Sequence, residues 1–218
     1  MMDFGAARLT MVDSQLRPNK VTDPAVLDAF LAVPRERFVP PALRAAAYVD
    51  DDIPIGDGRF LMQPMVLARL IQLAAIGPDD AVLEIGAGTG YGTAIAARLA
   101  RSVVGVESDR KHAARAVARL AELGVGNAAV VEGTLAQGHP ARAPYQVVLF
   151  EGMVAHIPDA IAGQVAENGR VVAVLGDGIG MSRAALMTRT NGVLSRRPVF
   201  DAAVAALPGF ERAPSFVF

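Results

Sequence analysis

The stretch that most constrains the fold of this chain is AVLEIGAGTGY, residues 81–91. An apolar run reaches Glu84, and three glycines follow at Gly86, Gly88 and Gly90 before an alanine-rich segment. This order predicts a buried strand, a tight turn and the N-terminus of a helix. Alternate glycines let the backbone turn sharply and let a ligand approach closely, because no side chain stands in the way. The stretch therefore predicts a site for a nucleotide-type cofactor.

A second carboxylate narrows the class of cofactor. The apolar run 103–106 ends at Glu107, where a carboxylate can accept hydrogen bonds from both hydroxyls of a ribose. The dinucleotide fingerprint G-x-G-x-x-G fails, because Tyr91 stands where its third glycine is required. The spacing G-x-G-x-G after Glu84 resembles instead the S-adenosylmethionine (SAM) site of the Rossmann-like methyltransferases. A glycine-rich turn in another α/β protein is the alternative that this motif leaves open.

Strand and helix patterns alternate from the glycine stretch onward. The predicted order is strand 81–85, helix 90–100, strand 102–107, helix 110–123, strand 128–131, strand 147–150, helix 157–166 and strand 170–175. Such alternation requires a mainly parallel central sheet with right-handed crossovers and helices on both faces. Residues 184–189 and 193–200 are expected to add an antiparallel pair that turns at Asn191-Gly192. The sequence thus predicts an α/β, Rossmann-like fold.

Two short helices precede this core. Apolar residues recur at helical spacing over residues 4–16. Thr22 or Asp23 is expected to cap a second helix, with Pro24 in its first turn. The following segment contains the turn-rich run 53–58, which we expect to lie on the surface or to line a cleft. At the other end of the chain, terminal aromatic residues suggest that the tail 201–218 is tied down.

The composition bounds the class of protein. A length of 218 residues suits one domain, which we divide into an N-terminal helical extension with the cleft segment, residues 1–60, and a cofactor-binding core, residues 61–218. Lysine and arginine total 21 against 22 acidic residues, so no electrostatic footprint for nucleic acid is indicated. We find no membrane-spanning run, no signal peptide and no cysteine. We expect a cytoplasmic protein without a metal site.

Several segments together resemble the protein-L-isoaspartate O-methyltransferase family. The likeness is carried by residues 11–40, by AYVDDDIPIGDGRFLMQP (residues 47–64), by VLEIGAGTGYGTAIAARLA (residues 82–100) and by residues 157–176. Its N-terminal part is specific, since other SAM enzymes lack it. The resemblance implies a SAM-dependent methyltransferase that esterifies the free carboxylate of an isoaspartyl residue, which starts repair of damaged proteins. The implied partner is a protein or peptide bearing that carboxylate.

The implied reaction makes modest chemical demands on the chain. A carboxylate with a pKa near about 3.9 is already ionised at neutral pH, so no general base is required. Attack on a sulfonium brings opposite charges together, and the main task is to hold nucleophile, methyl group and sulfur in line, away from water. The lack of a Ser-His-Asp or metal-ligand pattern in the sequence is therefore no objection.

The resemblance also implies which residues form the site. The positions expected to hold the donor are Glu84, Gly86, Ala87, Gly88, Gly90, Glu107, Thr134 and Leu135. The positions expected in the acceptor cleft are Met62, Gln63 and Glu151, with roles that the resemblance leaves open.

Four positions depart from the family's pattern. Met62 replaces an active-site serine and cannot donate a hydrogen bond to a substrate carboxylate. Thr134 stands where the family has an acid near the adenine, and Gln146 replaces the acid that opens the fourth strand. Glu151 begins the run Glu-Gly-Met where the family has Thr-Ala-Ala. These differences place the methyl acceptor, more than the donor, in question.

Two of these departures have competing interpretations. If Glu151 lies in the cleft, its charge repels a carboxylate and favours a cationic or neutral acceptor; alternatively it points away and caps the next segment. Met62 could be apolar filler. Three hypotheses follow: an isoaspartyl-type enzyme with a modified cleft, a SAM enzyme acting on another protein or small molecule, or a SAM-binding protein that has lost catalysis.

The three histidines are expected to take no part in this site. His112 is predicted on a solvated helix face and His139 in a loop. His156 follows the fourth strand and could reach the cleft, but a lone loop histidine is usually structural.

Overall fold

The structure is a computed structural model that describes residues 2–176 and 180–211. Its strands are β1 (Ile53–Gly56), β2 (Arg59–Leu61), β3 (Ala81–Ile85), β4 (Ser102–Glu107), β5 (Ala128–Glu132), β6 (Tyr145–Val154), β7 (Val165–Leu175), β8 (Arg183–Thr190) and β9 (Val193–Asp201). Its α-helices are α1 (Phe4–Met11), α2 (Pro24–Ala32), α3 (Pro64–Ala74), α4 (Tyr91–Ala97), α5 (Arg110–Glu122) and α6 (Asp159–Ala162). A π-helical turn, Val12–Leu16, extends α1 and completes the helix predicted over residues 4–16.

A seven-stranded sheet in the order β5-β4-β3-β6-β7-β8-β9 forms the centre of the molecule. Strands β3 to β7 pair in parallel, and β8 and β9 close one edge as an antiparallel pair. The chain runs outward from β3 to β5 and then returns to the other side of β3 with β6. This reversal opens a crevice at the carboxyl ends of β3 and β6. The predicted mainly parallel, Rossmann-like fold is confirmed.

The two faces of the sheet are covered unequally. Strand residues such as Val82 and Val103 pack in one core with side chains of α2, α3, α4 and α5. On the other face, Leu83 and Phe150 pack with Ile161 of the one-turn helix α6 and with Leu207. The helix predicted over residues 157–166 is therefore too long. Gly163 ends α6, and the next residues are drawn into β7, where Val165 pairs with Tyr145.

The N-terminal helices form as predicted. Asp23 caps α2 by accepting hydrogen bonds from the backbone N–H groups of Ala25 and Val26, at 2.8 and 3.4 Å, and Pro24 is its first residue. Helix α2 contacts α1, α3 and α4 of the core, and α3 also contacts the π-helical turn that extends α1. None of the helices within residues 2–176 and 180–211 is long and apolar enough to cross a membrane.

Residues 53–61 form more than the turn-rich segment that was predicted. They build the antiparallel hairpin β1–β2, in which Ile53 pairs with Leu61. Its turn is Asp57-Gly58, with φ of 52° and 72°. An Asp-Gly pair between alternating buried residues is a hairpin signal, because both turn positions need positive φ. The hairpin buries Arg59, which contacts the cofactor loop described below.

After β9 the chain folds back over the crevice. We name residues 202–210 the covering segment. The N–H of Met153 donates to the carbonyl oxygen of Ala205 at 2.9 Å, and the N–H of Leu207 donates to the carbonyl oxygen of Met153 at 2.8 Å. Phe210 is buried and packs edge-on against Phe150, with ring centroids 5.7 Å apart. The tail is thus tied down as far as Glu211, while the terminal residues 214–218 lie outside the described part of the chain.

Candidate active site

The glycine loop lies at the carboxyl end of β3, at the reversal of strand order. Gly86, Gly88 and Gly90 have φ of 85°, 54° and 91°, a region that side chains disfavour. The N–H groups of Gly86 and Ala87 donate to the carbonyl oxygen of Val106 at 2.9 and 3.1 Å, which fixes the loop beside the end of β4. The predicted strand, turn and helix therefore occur in that order, and the loop backbone faces the crevice.

Glu107 lies at the end of β4, beside this loop. Its side chain is fully buried, and Oε2 accepts hydrogen bonds from the N–H of Gly88 at 2.7 Å and from Nη2 of Arg59 at 3.1 Å. Oε1 accepts from the N–H groups of Ser108 and Asp109, at 2.8 and 3.0 Å. Burial opposes ionisation of Glu107, but Arg59 and these backbone donors outweigh it and hold its pKa below the ordinary value. A fixed carboxylate thus stands where the sequence predicted one.

Thr134 and Leu135 lie beyond the end of β5, on the same side of the crevice. They line a cavity of about 640 Å³ together with Ser108, Glu132, Gly133, Ala136, Pro208 and Gly209. The structure therefore brings the loop, Glu107 and the Thr134 region to one edge of the sheet. This combination fits a ribose-bearing cofactor: glycines that admit a close approach, a carboxylate for hydroxyl groups and a half-apolar cavity beside it.

The covering segment contacts the face of the loop that such a cofactor would use. A Cβ atom built on Gly86 would lie 2.6 Å from Cδ2 of Leu207 and 3.0 Å from Nη2 of Arg59. Arg59 also donates through Nη2 to the carbonyl oxygen of Gly86 at 2.9 Å. A ligand that reaches the backbone of Gly86 must therefore replace contacts made by Leu207 and Arg59.

Glu84 lies beneath the loop and faces a second carboxyl group. It is fully buried, and Oγ1 of Thr93 donates to its Oε2. A Cβ atom on Gly92 would lie within 2.5 Å of both Oε1 of Glu84 and Oε1 of Glu151, so these oxygens converge on one point. Neither oxygen has a hydrogen-bond partner among the described residues. Two ionised carboxylates could only accept and would leave both oxygens unpaired. A proton shared between Glu84 and Glu151 satisfies both.

The pKa values of this pair agree with a shared proton. Burial raises the pKa of Glu84 to about 7, although Thr93 lowers it in part. Burial and then the neighbouring charge of Glu84 raise the pKa of Glu151 well above its ordinary value. The pair therefore retains a proton to higher pH than an isolated carboxyl group does.

The acceptor positions meet at the opposite end of the loop from the Thr134 cavity. Met62 and Glu151 are both buried and line one small cavity, together with Asp52, Arg59, Phe60, Gly152, Val204 and Ala205. Nε2 of Gln63 donates to the carbonyl oxygen of Ala203 at 3.0 Å. The carboxylate of Asp52 accepts from the N–H groups of Gln63 and Ala205, at 2.8 and 2.9 Å. In this structure the covering segment closes the cleft over these residues.

These positions resolve two structural questions left open by the sequence. Glu151 points into the cleft region and does not cap the following segment as the alternative interpretation required. Met62 packs in the hydrophobic core and also lines the cleft, and its carbonyl oxygen accepts a hydrogen bond from Nη2 of Arg35 at 2.8 Å. Gln146 keeps an acceptor at the start of β6, since its Oε1 accepts from the N–H of Ala81 at 2.8 Å. The contact of Glu84 with a donor stays a prediction.

Sequence reasoning missed the buried arginines and misplaced one histidine. Arg35 is fully buried 4.9 Å from the ring centre of Tyr91, and Arg59 is buried between the hairpin and Glu107. The prediction that His112 lies on a solvated face is wrong, because His112, Ala113, Ala116 and Leu120 form the buried stripe of α5. The helical spacing of these four residues would have placed His112 on the buried face of α5. His156 is exposed and lines a different cavity from the cleft.

Comparison with known proteins assigns the family. A family model described as protein-L-isoaspartate(D-aspartate) O-methyltransferase matches residues 8–203. The protein-L-isoaspartate O-methyltransferase 1 of Rhodopseudomonas palustris is 38% identical over 188 residues, which cover 86% of this chain and 77% of that protein. The corresponding enzyme of Methanoregula boonei is 42% identical over 169 residues, covering 78% of each chain.

Solved structures agree with this assignment. A structure titled protein-L-isoaspartate O-methyltransferase is 26% identical, with a TM-score of 0.82, and covers 94% of this chain and 67% of its own. A Plasmodium falciparum structure, titled a putative member of this class in complex with S-adenosyl-L-homocysteine, is 16% identical with a TM-score of 0.79 over 92% of this chain and 97% of its own, and shares the fold. This chain therefore belongs to the protein-L-isoaspartate(D-aspartate) O-methyltransferase family of SAM-dependent methyltransferases.

Proposed function

We propose that this chain uses SAM to methylate the free carboxylate of isoaspartyl residues in proteins or peptides, the step that starts their repair. The observation that carries the proposal lies within the matched residues 8–203. There the glycine loop and the ionised carboxylate of Glu107 stand side by side at the reversal of strand order. SAM, when bound, supplies an electrophilic methyl group, and the chain has only to hold and orient both reactants.

The donor side is assigned as follows. Gly86, Ala87, Gly88 and Gly90 admit the cofactor against the loop backbone, and Glu107 accepts hydrogen bonds from its ribose hydroxyls. Thr134 and Leu135 line the cavity proposed for the adenine. Glu84 supports the loop from below, through Thr93 and Glu151.

The acceptor side is assigned to Met62, Gln63 and Glu151. An isoaspartyl carboxylate is ionised at neutral pH and needs no base. The raised pKa of Glu151 weakens the repulsion that a substrate carboxylate would meet there. Arg59 lines the same cavity and supplies the positive charge that would hold a substrate carboxylate. The proton shared with Glu84 thus weakens the main objection raised by the departure at this position.

A second candidate is methylation of a different protein or small-molecule group. It is favoured by Met62, which cannot donate the hydrogen bond that the family's serine provides. We further propose that the partner is a protein and not a nucleic acid, since the net charge is −1, and that the enzyme acts in the cytoplasm. Residues 1–60 are assigned as an extension and cleft segment of a single domain with residues 61–218. Arg59 crosses that boundary to reach Glu107.

The test compares two peptides that differ only in the linkage of one aspartyl residue. The protein is incubated with methyl-labelled SAM and either the isoaspartyl peptide or its normal counterpart. We expect base-labile methyl ester on the isoaspartyl peptide alone. Ester on neither peptide, with S-adenosylhomocysteine still bound, contradicts the isoaspartyl assignment and leaves another acceptor or a protein without transfer.

A double variant probes the departures themselves. Met62→Ser with Glu151→Thr restores the family's residues at both cleft positions and should raise the isoaspartyl rate. The matched control is Glu122→Thr, which changes an exposed glutamate at the end of α5. Equal rates in the double variant and the wild type would show that these two positions do not set acceptor choice.

A further inference from the structure

His112 has one ring nitrogen without a hydrogen-bond partner. The side chain is fully buried, and Nε2 lies 3.1 Å from the carbonyl oxygen of Ile55. A carbonyl oxygen can only accept, so Nε2 carries the proton and Nδ1 presents a lone pair. Nδ1 is buried and forms no hydrogen bond within the described residues. A buried acceptor left in this state costs free energy unless something binds it.

Two carboxylates lie beside this imidazole. One oxygen each of Asp57 and Asp109, together with one ring nitrogen of His112, all lie within 4.8 Å of one another. Oδ1 of Asp109 is 3.5 Å from Nδ1, too far for a good hydrogen bond. Two ligand atoms at about 2.0–2.2 Å from one tetrahedral ion lie about 3.4 Å apart. The separation is therefore that of two ligands of one metal ion.

The backbone holds all three side chains in place. Asp109 caps α5, its Oδ1 accepting from the N–H of His112 at 2.8 Å, and Asp57 occupies the turn of the β1–β2 hairpin. The hydrogen bond from Nε2 to Ile55 fixes the orientation and tautomer of the imidazole, as outer partners do for metal-bound histidines. Asp57 is exposed, which leaves an approach for the ion and room for water as a further ligand.

We propose that Asp57, Asp109 and His112 form a site for a divalent transition-metal ion of the zinc class, which joins the hairpin to the N-terminus of α5. One imidazole and two carboxylates suit zinc, cobalt or manganese, and are a poor set for magnesium, which prefers oxygen ligands only. The two carboxylate charges balance the charge of a divalent ion. Residue spacing does not reveal this site, because Asp57 is far from the other two ligands along the chain.

The site adjoins the donor region without being part of it. Arg59 is two residues beyond Asp57, and Glu107 is two residues before Asp109. A bound ion therefore fixes the two segments whose side chains meet in the Arg59–Glu107 pair. Binding is expected to rigidify this side of the cleft, while its detection requires neither SAM nor a methyl acceptor.

The test titrates the full chain, first stripped with a chelator, with zinc chloride in a calorimeter. We expect one ion per chain, a higher melting temperature on binding, and reversal by chelator. Bound cobalt(II) should give the intense visible absorption that is typical of a low coordination number. Magnesium chloride at the same concentration should produce no comparable shift in melting temperature.

Asp57→Asn is the variant of choice, because Asp57 is exposed and its loss does not disturb the core. Zinc affinity should fall by at least about tenfold. The matched control Asp79→Asn removes another exposed aspartate and should leave zinc affinity unchanged, as should His156→Ala, which removes an exposed histidine. Absence of stoichiometric zinc binding by the wild type, or equal affinity in Asp57→Asn, overturns the proposal.

Discussion

The two sides of the cleft, which we propose for the methyl donor and for the acceptor, are built in different ways. The positions proposed for the donor come from consecutive strand ends, so the glycine loop, Glu107 and Thr134 follow one another along the chain and meet through adjacent parallel strands. The side proposed for the acceptor joins distant segments, as where Asp52 accepts a hydrogen bond from the backbone N–H of Ala205. A local motif is sufficient to place the first side. The second depends on how a C-terminal segment folds back, and it contains two of the four positions that depart from the family's pattern.

The two sides also hold glutamates in opposite states. Glu107 accepts hydrogen bonds from an arginine and backbone N–H groups, which keep its pKa low and its charge in place. Glu84 and Glu151 face each other without such donors, and burial raises both of their pKa values. Burial alone therefore does not decide the charge of a carboxyl group in this cleft. The charge depends on the number of hydrogen-bond donors that point at the group.

The largest effect is expected from removing the charge on the donor side. Glu107→Ala leaves Arg59 buried without its carboxylate, which costs roughly 3–5 kcal/mol in the free energy of unfolding. Urea denaturation measures it. Glu132→Ala is the control, because Glu132 is exposed and pairs with Glu107 in the register of β4 and β5. A loss below about 1 kcal/mol for Glu107→Ala would mean that the Arg59 contact is not part of the solution structure.

A smaller effect is expected from loosening the covering segment. Leu207→Ala removes the side chain that contacts Gly86 and weakens the closed cleft by about 2 kcal/mol or more. If the segment competes with the donor, S-adenosylhomocysteine should bind about tenfold more tightly to the variant. The control is Leu194→Ala, a partly buried leucine of β9. Weaker binding to Leu207→Ala would show that Leu207 packs on the donor and does not exclude it.

The smallest effect concerns the carboxyl pair of Glu84 and Glu151. A carboxyl group whose pKa is raised by folding holds a proton that the unfolded chain releases, so its contribution to stability is complete below pH 4.5 and is lost as pH rises to about 7 for Glu84. The free energy of unfolding should therefore fall over this interval. Glu107 contributes in the opposite direction, since its pKa is lowered and its stabilisation is lost as pH falls.

Variants isolate the contribution of the pair. In Glu151→Gln the side-chain amide can donate a hydrogen bond to Glu84 but carries no titrating proton. The decline in the free energy of unfolding over the roughly two pH units between pH 5 and pH 7 should therefore flatten. Glu132→Gln, at an exposed site, should keep the wild-type profile. An unchanged profile in Glu151→Gln would mean that the two carboxyl groups do not share a proton.

The contrast between the two sides explains what could be predicted from sequence. Strand ends and the glycine loop follow from hydrophobic period and from φ requirements, both local, so β3, β4 and Glu107 were placed correctly. The contacts of Leu207 and Arg59 could not be predicted, because they depend on the path of segments far away in the sequence. His112 was misplaced because a histidine in an alanine-rich helix carries little hydrophobic signal of its own.

The central claim is that the glycine loop and Glu107 together hold the methyl donor. Calorimetric titration of S-adenosylhomocysteine into the wild type, Glu107→Gln and Glu122→Gln tests it directly. The account predicts binding of one molecule per chain, a loss of about 1–3 kcal/mol in Glu107→Gln because ribose hydroxyls lose their carboxylate, and wild-type affinity in Glu122→Gln, which changes an exposed glutamate at the end of α5. No heat with the wild type, or equal affinity in Glu107→Gln, would contradict it.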